Sequence, residues 1–482
     1  MTTDVSAKAA ARRLLLVELN ELTWSLIDPL IKRKKLPTFE WLKRHGVWAA
    51  PMSVDLESQL DPWITWTTVY TGRPQKEHNV YFLDQDHDSI MAERIWEICS
   101  RSGKKIGVYG SLCSWPPQPV NGFCVPDTFA RDASTYPEYL RSIQELNLTY
   151  TRSIRLPMDQ DTLWFKAKLG LDLVRLGLSA TTVSRIAKQL AIERLKPETR
   201  WRRVLLQPYT NFDFFSRLYR RCRPDFATFH TNHVAHLMHT YWKAMQPGLF
   251  EPLTTTPDEI EHYGRAIEEG YVSADRLLKS LLSLIDDDAV LMIASSMGQQ
   301  PFLNLRKYKG GKKIRQMKSL PRLLRILGVH GQVEAVSMMS DQFNIYAESE
   351  PALDTVYRLL KSAFVEVENG RMPMFFLQRN GGSICVSLMP DEVITASSEC
   401  RFPDAPGSPS YVYEDLVQLT GQVKSGCHHP EGILIIYGPG IRRGGRIEEC
   451  NNLDLAPTML TLMGIPLPDE MQGRVLTEAF EP

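Results

Sequence analysis

Short, continuous apolar runs that stop abruptly on polar residues recur along the chain. Arg13–Asn20 (RLLLVELN) is the first, with Glu18 and Asn20 at its end. Lys104–Gly110, Asp225–His230, Asp288–Ser295 and Ile433–Tyr437 repeat the pattern. Runs of this kind read as strands buried on both faces. Amphipathic stretches fall between them at Trp24–Lys34, Pro37–Gly46, Pro257–Ile285 and Leu453–Met463. Thr65–Tyr70 reads as a further helix, closed by the turn residues Thr71-Gly-Arg-Pro74. Strands alternating with helices predict an α/β fold: a doubly wound, mainly parallel sheet sandwiched by helices. In such sheets ligands bind beyond the carboxyl ends of the strands. The polar residues at those ends are therefore the first candidates for chemistry.

Two segments depart from this pattern. Residues 130–221 are rich in Leu, Lys and Arg at helical spacing and predict a helical cap insertion. Its arginines can meet an anionic substrate or simply form a solvated basic face. Residues 305–420 carry strand-like stretches at Gln342–Ala347, Met374–Gln378 and Ser383–Leu388, with a helix at Ala352–Phe364, and predict a small α+β insertion. The core is then expected from 1–129, 222–304 and 421–482.

Composition narrows the function classes. The 482 residues carry 56 basic and 56 acidic side chains, which gives no general attraction to nucleic acid or an anionic membrane. Eight scattered cysteines form no CxxC pair, so neither a zinc knuckle nor a disulfide framework is signalled. The apolar run Leu14–Val17 is too short for a signal peptide, and no stretch reaches membrane-span length. A cytoplasmic protein without a membrane span is expected.

Four of the eleven histidines, at 230, 233, 236 and 239, lie where one apolar strand hands over to a helix. On that helix Asn232 and His236 share a face. His233, His236 and His239 step round by about 60° each, so all three cannot easily converge on one ion.

The order of motifs resembles the type I phosphodiesterase/nucleotide pyrophosphatase branch of the alkaline phosphatase superfamily. The carriers are His428-His-Pro-Glu-Gly432, Gly438-Pro-Gly-Ile-Arg-Arg-Gly444, Leu453-Asp-Leu-Ala-Pro-Thr-Met-Leu460 with Met463-Gly-Ile-Pro466, Thr71-Gly-Arg-Pro74 with His78, and Asn232-xxx-His236. The resemblance implies an alkaline-phosphatase-like fold and a centre of two metal ions, usually zinc, held by three Asp and three His around a Thr or Ser nucleophile. In this chain Asn20 and Asn232 stand at two of the Asp positions, and Ser296-Met297 replaces an Asp-His pair. The nucleophile position falls on Pro62 beside Asp61, or on Ser58 or Thr65 if the alignment slips. Of seven positions, His236 and His428 alone keep the family's residue.

Two divalent ions bring four positive charges, which neutral Asn and Ser do not offset. No two-metal centre, and no cofactor, is therefore expected, unless Glu18, Glu21 and His233 rebuild a site nearby. The expected catalytic set is His236, His428, Glu18 and Asp61, with Asn20, Asn232, Ser296, His233 and Thr65 binding substrate; Asn20, Asn232, His236, Ser296 and His428 are expected to converge on one strand-end cleft. The expected function is transfer or cleavage at a phosphate or sulfate ester, or on a nucleotide-linked small molecule, by metal-independent or altered-metal acid–base chemistry. Two alternatives stand beside it: a non-catalytic descendant that binds a ligand or partner protein, and a conventional metal phosphodiesterase with shifted ligands.

Overall fold

The computed structural model describes residues 13–56, 60–83, 85, 87–152, 163–250, 255–303, 312–338, 342–368, 370–389 and 393–482. The chain divides into two units, 1–302 with 426–482, and 303–425.

The larger unit is built on a seven-stranded sheet. Its strands are β1 (Arg13–Leu19), β2 (Val47–Ala49), β3 (Ile106–Tyr109), β4 (Gly122–Val125), β5 (Phe226–Thr231), β6 (Ala289–Ser295) and, later in the chain, β9 (Ile433–Tyr437). They lie in the order β2-β9-β6-β1-β5-β3-β4. The five from β6 to β4 are mutually parallel, while β9 runs antiparallel to both β6 and β2. Every residue of β5 and β6 is buried, as the unbroken apolar runs require of strands covered on both faces. A short antiparallel two-stranded sheet, β7 (Gly298–Pro301) with β8 (Gly426–His429), stands beyond the end of β6.

Five helices matter for the site and its support: α1 (Trp24–Lys32), α2 (Pro37–His45), α3 (Pro62–Thr71), α4 (His233–Met245) and α5 (Ala266–Leu282). The amphipathic stretch expected as one helix at Pro257–Ile285 is two. Pro257–Tyr263 ends at Gly264, where an added Cβ would sit 2.5 Å from the Ile260 carbonyl oxygen, and α5 starts afresh at Ala266. The segment expected as a helical cap contains helices Leu163–Leu176, Ala180–Leu195 and Gln207–Cys222; its residues 153–162 lie outside the described ones. The last of these helices belongs to the core, because Phe215 packs on Tyr109 and Phe229 of the sheet. Among the described residues no helix is long and apolar enough to cross a membrane.

The smaller unit has its own core, centred on Ile345, Val356, Leu360, Ile384, Val386 and Phe402. It holds two four-stranded sheets and the helix Glu350–Ser362, an α+β composition.

Candidate functional site

Parallel register sets the chemistry at one level. Leu19 of β1 pairs with Thr231 of β5, and Glu18 pairs with Ala294 of β6, so Asn20, Asn232 and Ser296 all follow at the carboxyl ends of adjacent strands. Asn20 and Asn232 do not face an empty centre. The Asn20 amide nitrogen donates to Asn232 Oδ1 at 2.8 Å and to Glu21 Oε1 at 3.0 Å, and its oxygen accepts from Trp66 Nε1 at 2.8 Å. On the neighbouring strand Ser296 Oγ lies 2.7 Å from Thr65 Oγ1. Met297 is fully buried.

Glu21 is the pivot. Its φ is 62°, in the left-handed region that costs a residue with a Cβ about 1–2 kcal/mol. That turn tucks its carboxylate inside the protein, 2% exposed. Glu21 Oε2 lies 2.9 Å from His239 Nε2 and 3.7 Å from His428 Nε2, and it accepts a hydrogen bond from Gln299 Nε2. Burial pushes the Glu21 carboxyl up, but the charges of His239 and His428, with hydrogen bonds from His239 and Gln299, outweigh it and hold the group at about 2. The far nitrogens are also engaged. His239 Nδ1 is 3.0 Å from the Gly426 carbonyl oxygen, so it must carry the proton, and His428 Nδ1 faces Asp61 Oδ1 at 3.8 Å. The side chains of His239, Asp61 and His428 are 23%, 18% and 16% exposed, so the cluster opens to solvent on their side while Glu21 stays enclosed.

The remaining expected residues divide around this cluster. His236, one turn before Thr240 on α4, makes no ring hydrogen bond among the described residues, and burial with the nearby His239 charge lowers its pKa to about 4. His233 turns elsewhere, to Thr231 Oγ1 at 2.7 Å, and burial likewise takes it to about 4. Thr65 is buried one turn inside α3, which begins at Pro62 with Asp61 as its N-cap. Ser58 lies outside the described residues. Glu18 is set apart: it is fully buried, bonded to Tyr70 Oη at 2.8 Å, Ser111 Oγ at 2.9 Å and His230 Nδ1 at 3.0 Å. A cleft of about 800 Å³ lined by Trp41, His45, Lys279, Tyr437 and Arg443 lies at the other end of the sheet and includes none of these residues.

The two-metal centre implied by the resemblance does not fit these residues. Four of its positions are uncharged, and three of those, Asn20, Asn232 and Ser296, are bonded to neighbours instead. What the structure does hold is an incomplete, differently composed ligand group. The ligand atoms of Glu21, His239 and His428 all lie within 4.8 Å of one another. Sequence reasoning weighs Glu21 as part of a rebuilt site but sets it beside His233. The 60° stepping of the three histidines was the usable signal: one of them reaches Glu21, and it is His239.

Residues 14–371 match the family model described as type I phosphodiesterase / nucleotide pyrophosphatase. Among curated proteins, the 2,3-bisphosphoglycerate-independent phosphoglycerate mutase of Shewanella sediminis is 35% identical over 98 residues, 20% of this chain and 18% of that one. The enzyme of the same name from Cereibacter sphaeroides is 45% identical over 51 residues, 11% and 10% of the two chains. The chain thus spans less than a fifth of the length of these curated relatives. Among solved structures, an inactive variant of murine ectonucleotide pyrophosphatase/phosphodiesterase 5 in complex with AMP aligns over 98% of this chain and 100% of its own, at 13% identity and a TM-score of 0.42. Phosphonoacetate hydrolase from Sinorhizobium meliloti aligns over 94% and 96%, at 13% identity and the same TM-score.

Proposed function

Because the chain belongs to the type I phosphodiesterase/nucleotide pyrophosphatase family, with an altered metal site, we propose that it acts on a phosphate or sulfate ester, or on a nucleotide-linked small molecule, in the strand-end cleft. The observation that carries this reading is the line of facing groups Asp61–His428–Glu21–His239, open to solvent at Asp61 and His239, with His236 beside it. His236 leaves its ring without a partner among the described residues, and at neutral pH it is uncharged, the form that accepts a proton. In this reading His236 is the base that takes a proton from the attacking hydroxyl or water. Asp61 and His428 form the polar wall opposite it, and Asn20, Asn232 and Ser296 frame the floor. Glu18 bonds Tyr70 and His230, whose rings pack on the Trp66 that donates to Asn20.

A second reading, a non-catalytic binder, is favoured by the nucleophile position. Pro62 has no nucleophile, and Thr65 turns its hydroxyl to Ser296. Turnover of aryl phosphate monoesters, diesters and sulfates, paired with thermal-shift assays using nucleoside monophosphates, separates the two. Turnover that His236→Gln lowers at least about 100-fold supports the enzyme, since general-base catalysis contributes about 10²–10⁴-fold. Binding without turnover supports the binder. Neither binding nor turnover would remove both.

A further inference from the structure

Glu21, His239 and His428 meet the requirements of a different centre from the one the family implies. A tetrahedral zinc ion with ligands at about 2.0–2.1 Å places those ligand atoms about 3.3 Å apart. Glu21 Oε2 lies 2.9 Å from His239 Nε2 and 3.7 Å from His428 Nε2, so shifts of roughly 0.4 Å bring both pairs to that spacing. The supporting contacts are those that orient ligands. His239 donates its Nδ1 proton to the Gly426 carbonyl, which directs Nε2 at Glu21. His428 Nδ1 faces the Asp61 carboxylate at 3.8 Å, close enough for that charge to favour a cation beside the ring. Gln299 donates to the Glu21 carboxylate and to the Ala235 carbonyl, while its own buried Oε1 has no hydrogen-bond partner among the described residues. Gln299 thus ties the Glu21 carboxylate to the backbone of α4.

We propose that Glu21, His239 and His428 bind a single divalent zinc-type ion, with the fourth position open toward the cleft, Gly426 orienting His239 and Asp61 adding negative charge beside His428. One ion needs far less negative charge than two. Glu21 supplies one negative charge at the ion and Asp61 a second beside it, which together match a divalent cation. The set of two imidazoles and one carboxylate with an open position suits zinc. This site does not depend on the ester reading, because occupancy is measured without turnover.

The test uses the full chain, stripped with chelator, dialysed and titrated with zinc by calorimetry. The expected result is one ion per chain, a rise in melting temperature with zinc, and visible absorption typical of four-coordinate cobalt when Co²⁺ replaces it. His239→Gln and Glu21→Gln should weaken zinc binding at least about 100-fold, and Asp61→Asn by less, through the charge it removes. His45→Gln, on the distant Trp41 surface, should leave it unchanged. A folded wild-type chain that takes up no stoichiometric zinc overturns the proposal, as does zinc binding that His239→Gln leaves intact. The wild-type titration and the cobalt spectrum decide even if a variant misfolds. Zinc binding without ester turnover would remove the ester reading and leave the ion site standing; turnover in chelator by a chain that binds no zinc would do the reverse.

Discussion

Both amide protons of Asn20 are in use. Its amide donates to Glu21 and Asn232 and accepts from Trp66. Asn20→Asp would remove the donor and set a second carboxylate about 3 Å from Glu21 Oε1 in a buried place. In chelator this variant should lose roughly 2–4 kcal/mol in urea unfolding at pH 8. The loss should shrink at pH 5, because neighbouring carboxylates share a proton more readily as the pH falls. An equal loss at both pH values would show that the two groups do not interact. His78 gives a second residue-scale expectation. Its Nδ1 accepts from the Val80 N–H at 3.1 Å, so its Nε2 carries the proton toward Thr68 Oγ1, which in turn donates to Asp55. Burial, helped by the Arg73 charge, holds its pKa at about 3 against 6.5 for the free side chain. Between those values the unfolded chain binds a proton that the native one refuses, so stability falls as pH drops through this window. Each such group contributes up to about 1.4 kcal/mol per pH unit. His78→Gln should give a shallower decline of the urea midpoint from pH 6.5 to 4 than the parent; an unchanged slope would refute it. The sequence revealed Asn20, Asn232 and Ser296 as altered positions because strand ends are visible as the stop of an apolar run. It could not reveal that Asn20 and Asn232 bond to each other and Ser296 to Thr65, because those partners lie more than 200 residues apart in the chain.

Among the elements, the buried strands were the most legible, because a parallel strand covered on both faces needs an unbroken apolar run and little else does. The break in Pro257–Ile285 was hidden, since the apolar spacing continues across Gly264 while the backbone does not. Gln207–Cys222 reads with the insertion because its aromatic face looks the same whether it meets a cap or a sheet. One junction between elements invites a direct test. Asp275 of α5 accepts from the backbone N–H groups of Thr38 and Phe39, at 2.9 Å each, and from Thr38 Oγ1, so it caps the N-terminus of α2 from a neighbouring helix. Loss of a charged acceptor that satisfies three donors at a helix start should destabilise by about 2–4 kcal/mol. Asp275→Ala should lower the unfolding free energy by that amount, and Asp275→Asn by less, in denaturant titrations. An unaltered Asp275→Ala protein would mean that water replaces the cap without loss.

At the scale of the whole molecule, two units each carry a separate hydrophobic core. Calorimetric unfolding should therefore show two transitions rather than one. The residues that would hold an ion all belong to the larger unit. Zinc should then raise its transition alone and leave that of 303–425 in place. A single transition that moves as a whole with zinc would show that the units unfold together.

The sheet order has a further effect during synthesis. β1 precedes the other strands of its sheet along the chain, yet it sits in the middle, between β5 and β6, and His428 arrives much later, on β8. At about 5–20 residues per second, the ribosome needs on the order of 20–80 s between Asn20 and His428. For that interval Glu21 has no second histidine beside it, and β1 waits with apolar faces uncovered until β5 and then β6 emerge. The nascent chain thus offers a holdase chaperone a long-lived target at β1. Ribosome-bound chains stalled before β5 should be captured there more strongly than chains stalled after β9.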